Sequence, residues 1–229
     1  MIPPAPSDPA PPGASARWRR LHRQVLACHL CVEAGFLAEA TPMFQGRPGQ
    51  RLMLVGQAPG VMEVEARRPF AWRSGRELER WMVRAGFAGD EHFRALTYIT
   101  SVTKCFPGKA PSGSGDRRPG RVEVELCLPY LRQQLELVEP RLVLAVGTLA
   151  IDQFMPGRPL EGIIGRLFDG KGRELGRTGR AAVTAAASPL LLPLPHPSGA
   201  SRWLNDGAHR ELLDTALRLL EKTWPLLID

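Results

Sequence analysis

The stretch Arg51-Leu-Met-Leu-Val-Gly56, followed at once by Gln57-Ala-Pro-Gly60, decides how this chain is read. An unbroken apolar run closed by glycine suits a strand covered on both faces, and the Pro and Gly behind it make a tight loop. Three more segments repeat the pattern. Leu96-Thr-Tyr-Ile-Thr-Ser-Val-Thr103 is rich in β-branched residues and delivers Lys104 and Cys105. Arg141-Leu-Val-Leu-Ala-Val-Gly147 again ends on glycine, and Leu190 to Leu194 runs into His196-Pro-Ser-Gly199. Between them lie helical patterns: Arg17 to Ala27, Ser74 to Ala85, Val122 to Val138 before Pro140, Thr148 to Phe154, and Trp203 to Trp224. In the second, Leu78, Trp81, Met82 and Ala85 recur at helical spacing, with Ser74 as the expected cap and Gly86 as the stop. Phe168 to Thr184 reads as a hairpin-like excursion. Strands without a wet face, alternating with helices, define an α/β class with a parallel sheet between helix layers. Ligands of such sheets bind beyond the carboxyl ends of the strands, where Gln57–Gly60, Ser101–Cys105 and His196–Ser198 fall.

The 229 residues are 44% apolar, enough for one core. Residues 1–16 read as a disordered Pro-rich arm and 17–229 as a single domain. The arm lacks the basic and apolar blocks of a signal peptide, and no run of about 18 apolar residues suggests a membrane helix. The expectation is therefore a cytoplasmic protein with no membrane partner. The net charge of +7 comes from arginine, with basic runs at Arg17–Arg23, Arg67–Arg73 and Arg117–Arg121. That is the footprint of a nucleic-acid binder. A GC-rich genome enriches the same residues, so charge alone adds only a modest argument.

All four cysteines stand in two distant regions: Cys28-x-x-Cys31 near the start, Cys105 and Cys127 downstream. In a reducing compartment four thiolates suit a metal site over a disulfide framework. Tetrahedral zinc and an iron–sulfur cluster both fit four sulfurs; the second pair lacks the short spacing of a zinc ribbon, which tilts the reading to iron–sulfur.

Three other constellations carry chemistry. In Gly56–Glu63 the glycines let backbone approach a ligand, and the Glu63 carboxylate can place a water. Phe70, in Arg68-Pro-Phe70, can stack on a planar base. His196, in His196-Pro-Ser198, can donate to a developing anion, and Ser198 can grip a phosphate. Each alone has a bland counterpart: a turn glycine, a solvated acid, a core phenylalanine, a loop histidine.

Taken in order, these segments resemble a known family. Gly56-Gln-Ala-Pro-Gly60, Arg68-Pro-Phe70, Arg73-Ser-Gly75, Lys104-Cys105-Phe-Pro107, Glu125-x-Cys127-x-Pro-Tyr-Leu131, Pro140–Gly147 and His196-Pro-Ser198 look like the four-cysteine uracil-DNA glycosylases, families 4 and 5. The resemblance spans roughly residues 25 to 222. It implies a three-layer α/β/α sandwich with a central four-stranded parallel sheet. It implies a [4Fe-4S] cluster on Cys28, Cys31, Cys105 and Cys127, and a monomer that cleaves the N-glycosidic bond of uracil in DNA for base-excision repair. Carried over by position, Phe70 stacks on the base, and Gln57, Ala58 and Gly60 belong to the loop that contacts it. Glu63 and His196 are the catalytic pair, and Arg202 lies on the loop that meets DNA. Apart from the resemblance, Ser198 is expected at a phosphate, and Arg117 and Arg118 at DNA phosphates, with a solvated basic loop as the bland alternative for the two arginines. Family 4 has an asparagine reading the uracil edge; the matching position here is Ser101. That departure admits two alternatives, a glycosylase for other deaminated bases and a damaged-DNA or uracil binder without catalysis.

Overall fold

The computed structural model describes residues 15–113, 115–175, 183, 189–198 and 202–228. Helices α1 (Ala16–Leu26) and α2 (Leu30–Glu33) precede β1 (Leu52–Gly56). Then come α3 (Val61–Ala66), α4 (Arg73–Arg84), α5 (Asp90–Leu96), β2 (Thr97–Ser101), α6 (Arg121–Val138), β3 (Leu142–Val146), α7 (Thr148–Ile151), β4 (Leu190–Leu194) and α8 (Gly207–Thr223). The arm expected over residues 1–16 lies almost wholly outside the described residues.

The four strands form one parallel sheet in the order β2-β1-β3-β4. Every residue of every strand is buried, which is why each reads as an apolar or β-branched run without alternation. Helices α1 and α6 pack together, and α4 packs on α8, so the sheet lies between two helical layers. Pro193 is tolerated because β4 is at an edge of the sheet. Both edges are blunted by single antiparallel bridges, Gln45 to Ile99 on β2 and Phe168 to Leu191 on β4. The excursion expected from Phe168 begins with the Phe168–Glu174 bridge, and most of its later part lies outside the described residues. Among the described residues no helix is long and apolar enough to cross a membrane.

The chain steps from β1 outward to β2, then crosses back over β1 to reach β3 on its other side. This reversal opens a crevice at the carboxyl ends of β1 and β3. Three local expectations are corrected. Helix α4 starts at Arg73 with Trp72 as N-cap, so Ser74 does not cap it. The register follows from Gly75, where a β-carbon would collide with the carbonyl oxygen of Phe70. Leu96, expected in the second strand, ends α5 instead. Trp203 lies in a 3-10 turn, Arg202–Asn205, and α8 begins at Gly207, where the Asp206 carboxylate accepts the Ala208 amide at 2.8 Å.

Candidate active site and cysteine cluster

A cleft of about 510 Å³ opens at the carboxyl ends of the strands, lined by Gln57, Ala58, Gly60, Glu63, Phe70, Ser101, His196 and Ser198 among others. Gln57 and Ser198, 141 positions apart in sequence, thus share one wall, because β1, β2 and β4 all end there.

Glu63 sits in the first turn of α3, directly after the Gly60 N-cap. Burial raises its pKa above the ordinary carboxylate value; hydrogen bonds from its own amide and that of Gly60 oppose this, and Asp116 adds to it. Gly60 is a site of close approach: a β-carbon there would lie 2.5 Å from Glu63 Oε2 and 2.8 Å from Asp116 Oδ2. Asp116 also pairs with Lys109 at 3.0 Å, across a hairpin closed by the Lys109–Asp116 bridge.

Phe70 has φ of +54°, in the left-handed region that costs a non-glycine residue roughly 1 kcal/mol or more. Buried Arg94 holds it there. Its guanidinium donates to the carbonyls of Pro69 at 3.0 Å and Phe70 at 3.3 Å, and to Gln45 Oε1 at 2.7 Å, while Asp90 accepts its Nε–H at 2.7 Å. The Phe70 ring lies over Gly56, where a β-carbon would come within 3.0 Å of Cζ. Phe70 is therefore both packed on the core and a wall of the cleft.

His196 packs beside Gly147, whose φ of +83° and missing side chain let the loops after β3 and β4 meet. Burial lowers the His196 pKa, so the neutral ring dominates at neutral pH. The Ser198 amide donates to Nδ1 at 3.2 Å, which leaves the ring proton on Nε2. Ser101 is buried, and its hydroxyl donates to the Thr103 carbonyl at 2.8 Å. With that proton committed, its oxygen meets the cleft as an acceptor.

The basic residues expected at DNA divide. Arg117 lines the cleft, yet Glu123 takes its guanidinium at 2.6 and 2.7 Å. Against the burial that would raise it, Arg117 and the Gly120 amide hold the Glu123 pKa low. Arg118 reaches Asp152 at 3.6 Å and Thr148 Oγ1 at 3.5 Å. Arg202 opens the 3-10 turn after residues 199–201, which are outside the described residues, as is the Arg202 side chain.

All four cysteines line a second, small cavity of about 20 Å³, walled by Val25, Leu30, Val32, Leu37 and Leu126. Cys28 and Cys31 come from α2 and the turn before it, Cys105 from beyond β2, and Cys127 from α6. Burial and neighbouring thiols push Cys31 up to about 11 and Cys105 up to about 12. The Lys104 amide donates to Cys127 Sγ at 3.3 Å. Lys104 itself is buried and its ammonium donates to the Ser101 carbonyl, linking this cavity to the cleft. Among the described residues, no three of His, Cys, Asp or Glu are grouped as a single-ion site. The donor set fits a soft, thiolate-bound group with an apolar surround and an amide on one sulfur.

Sequence reasoning missed Asp116, Lys104 and Arg94. Asp116 lies in a Gly/Ser loop without periodicity. Lys104 and Arg94 are ordinary charges in sequence, and only their burial distinguishes them.

The model of the uracil DNA glycosylase superfamily matches residues 43–221. The chain belongs to that superfamily. It is 35% identical to a type-4 uracil-DNA glycosylase of Pyrobaculum aerophilum over 157 residues, 68% of this chain and 72% of the relative. A type-4 uracil-DNA glycosylase of Sulfurisphaera tokodaii is 30% identical over 129 residues, 56% of this chain and 53% of that protein. A type-5 uracil-DNA glycosylase of Pyrobaculum aerophilum is 47% identical over 53 residues, 23% of this chain and 20% of the relative. The matched family span contains Cys105 and Cys127 but starts after Cys28 and Cys31.

Proposed function

We propose that this protein is a uracil-DNA glycosylase that hydrolyses the N-glycosidic bond of a flipped uracil, the opening step of base-excision repair. One observation carries the reading: a half-buried carboxylate, a neutral histidine with its Nδ1 occupied, and an aromatic ring share one cleft in a chain of this superfamily.

The geometry supports the following roles. The extruded base stacks on Phe70. The C1′–N1 electron pair departs with the base, and His196 Nε2–H hydrogen-bonds the carbonyl oxygen on which negative charge builds. A neutral imidazole suits this role, because it stabilises the anion by donation without surrendering its proton. Glu63 as carboxylate stabilises the cationic sugar and orients the water that adds to C1′, taking up the proton that water releases. Gln57, Ala58 and Gly60 form the floor beside the base. Ser198, and Arg202 beyond it, belong to the loop that meets the DNA strand. The enzyme is proposed to act as a monomer.

Ser101 supports uracil over cytosine. Its oxygen, with the hydroxyl proton spent on Thr103, accepts from the N3–H of uracil and opposes the lone pair on cytosine N3.

Cys28, Cys31, Cys105 and Cys127 would hold a [4Fe-4S] cluster. Their sulfurs line one cavity with an apolar surround, and the Lys104 amide donates to Cys127 Sγ, a setting that suits a thiolate-bound cluster. When bound it supplies a cross-link between the α1–α2 region and the segments after β2 and in α6. The hydrolysis transfers no electron.

The test is a set of oligonucleotides bearing uracil, hypoxanthine, xanthine or mismatched thymine, incubated with the protein and then with alkali. Strand scission at uracil is expected. Scission only at another base makes the protein a glycosylase of different specificity, and binding without scission makes it a reader of damage.

A further inference from the structure

Trp72 stands where local structure gives it least reason to be. It is the N-cap of α4, a 12-residue helix, and makes no side-chain capping bond. Ser, Thr, Asp and Asn are the residues that stabilise such a position. Trp72 also buries little, being 43% exposed, whereas Trp18, Trp81 and Trp224 are buried and Trp203 is stacked on His209. A side chain that breaks a local rule without repaying it in packing points to function.

Its location says which. Trp72 does not itself line the cleft, but it lies in the chain between Phe70 and Ser74, which both do. The Arg76 guanidinium, one helical turn on, lies 5.2 Å from the ring centroid and steadies the indole. Arg67, Arg73 and Arg76 are exposed here, and among the described residues no acid pairs with them. Arg68, by contrast, is taken by Asp90 and by Glu91 at 2.8 Å. This segment, beside two cleft residues in the chain, thus combines a flat aromatic face with positive charge left available to a ligand. That combination binds the bases and phosphates of single-stranded nucleic acid.

We propose that Trp72 is a second base-binding position, a stacking platform for the nucleobase next to the flipped one, with Arg73 and Arg76 on the adjoining phosphates. The proposal rests on the glycosylase reading for what fills the cleft. It makes single-stranded or locally opened DNA the better ligand, because a base inside an intact duplex keeps its own stack.

The test uses the full chain and a short single-stranded oligonucleotide carrying uracil with 2-aminopurine on its 5′ or its 3′ side. Binding should quench 2-aminopurine on one side only and dim tryptophan emission. Trp72→Ala should abolish the 2-aminopurine quench and weaken binding about tenfold. It should raise KM while leaving kcat on saturating DNA within about twofold. Trp72→Phe should keep most of the affinity but lose the change in tryptophan emission. Unchanged thermal midpoints in both variants would attribute these effects to the exposed ring. Affinity and quenching that survive Trp72→Ala overturn the proposal, even if the wild type excises uracil. A wild type that shows Trp72-dependent quenching but leaves uracil uncut keeps the stacking position and sinks the glycosylase reading instead.

Discussion

The carboxylates of Glu63 and Asp116 converge on the same face of Gly60, 2.5 and 2.8 Å from where a β-carbon would stand. Like charges so placed resist ionising together, and burial acts on Glu63 in the same direction. Lys109, at 3.0 Å from Asp116, tempers the repulsion. The loop carrying Asp116 therefore bears on the ionisation of the residue proposed to work on water.

For Glu63 the sign is as follows. Its folded pKa lies above its unfolded value, so the folded state holds the proton more tightly. Stability falls as pH rises through that window, and the ionised carboxylate is a cost at neutral pH. Glu63→Gln is expected to melt at a higher temperature than wild type at pH 7 while losing most uracil excision. Asp116→Asn should move the acid limb of the kcat profile to lower pH, and Lys109→Met should move it to higher pH. Rate profiles for the three proteins check this, and superimposable acid limbs would refute it.

His196→Ala removes the proposed donor to the departing base. Excision on single-stranded and duplex uracil DNA should fall by about 100- to 1000-fold, as seen when one such donor is lost. DNA binding should change far less. Single-turnover rates beside a binding isotherm separate the two.

Ser101→Ala keeps the size of the pocket and deletes the acceptor. Uracil excision should slow by roughly tenfold, the scale of one lost hydrogen bond. Any measurable action on cytosine should rise relative to uracil. Paired uracil and cytosine oligonucleotides give the ratio, and an unchanged ratio would remove Ser101 from recognition.

Cys105→Ser or Cys127→Ser should abolish visible absorption and iron content. Either should lower the melting temperature by at least ~5 °C, since a structural metal group contributes folding energy directly. Iron analysis with a thermal melt decides it, and stoichiometric zinc in a colourless wild type would replace the cluster.

His22 is half-buried against Trp18, Phe44 and Tyr98, with its Nε2 at 3.1 Å from the Tyr98 hydroxyl, and partial burial pushes its pKa down to about 4. The neutral form is the folded one. Its stability contribution is full above the ordinary histidine value and is lost as pH falls towards about 4. His22→Gln should flatten the decline in melting temperature across that interval.

The strands were legible because a parallel sheet buries both faces, and Leu52–Val55 and Leu142–Val146 carry that in composition. Helix α5 was not, being seven residues long and running straight into β2. The start of α4 escaped because Gly75 answers to the Phe70 carbonyl, a contact that propensity does not encode. The α8 cap is legible in Asp206, three residues beyond the expected helix start at Trp203. Phe70, Glu63, His196 and Ser101 were nameable from ordered motifs. Arg117 and Arg118 were nameable as basic, but their capture by Glu123 and Asp152 depends on chain reversals between β2 and α7.

By itself the sequence determined the class of fold, the four cysteines as one set and the cleft residues that fall in its ordered motifs, Asp116 not among them. Apolar runs and collinear motifs are local properties that survive being read one residue at a time. Only the tertiary structure decided the tautomer of His196, the committed proton of Ser101, the strained Phe70 under Arg94, and Asp116 over Gly60. Each depends on atoms from separate loops brought within a few ångströms at the ends of the strands. Hydrogen bonding, desolvation and like-charge repulsion are set by those distances, and spacing along the chain does not contain them.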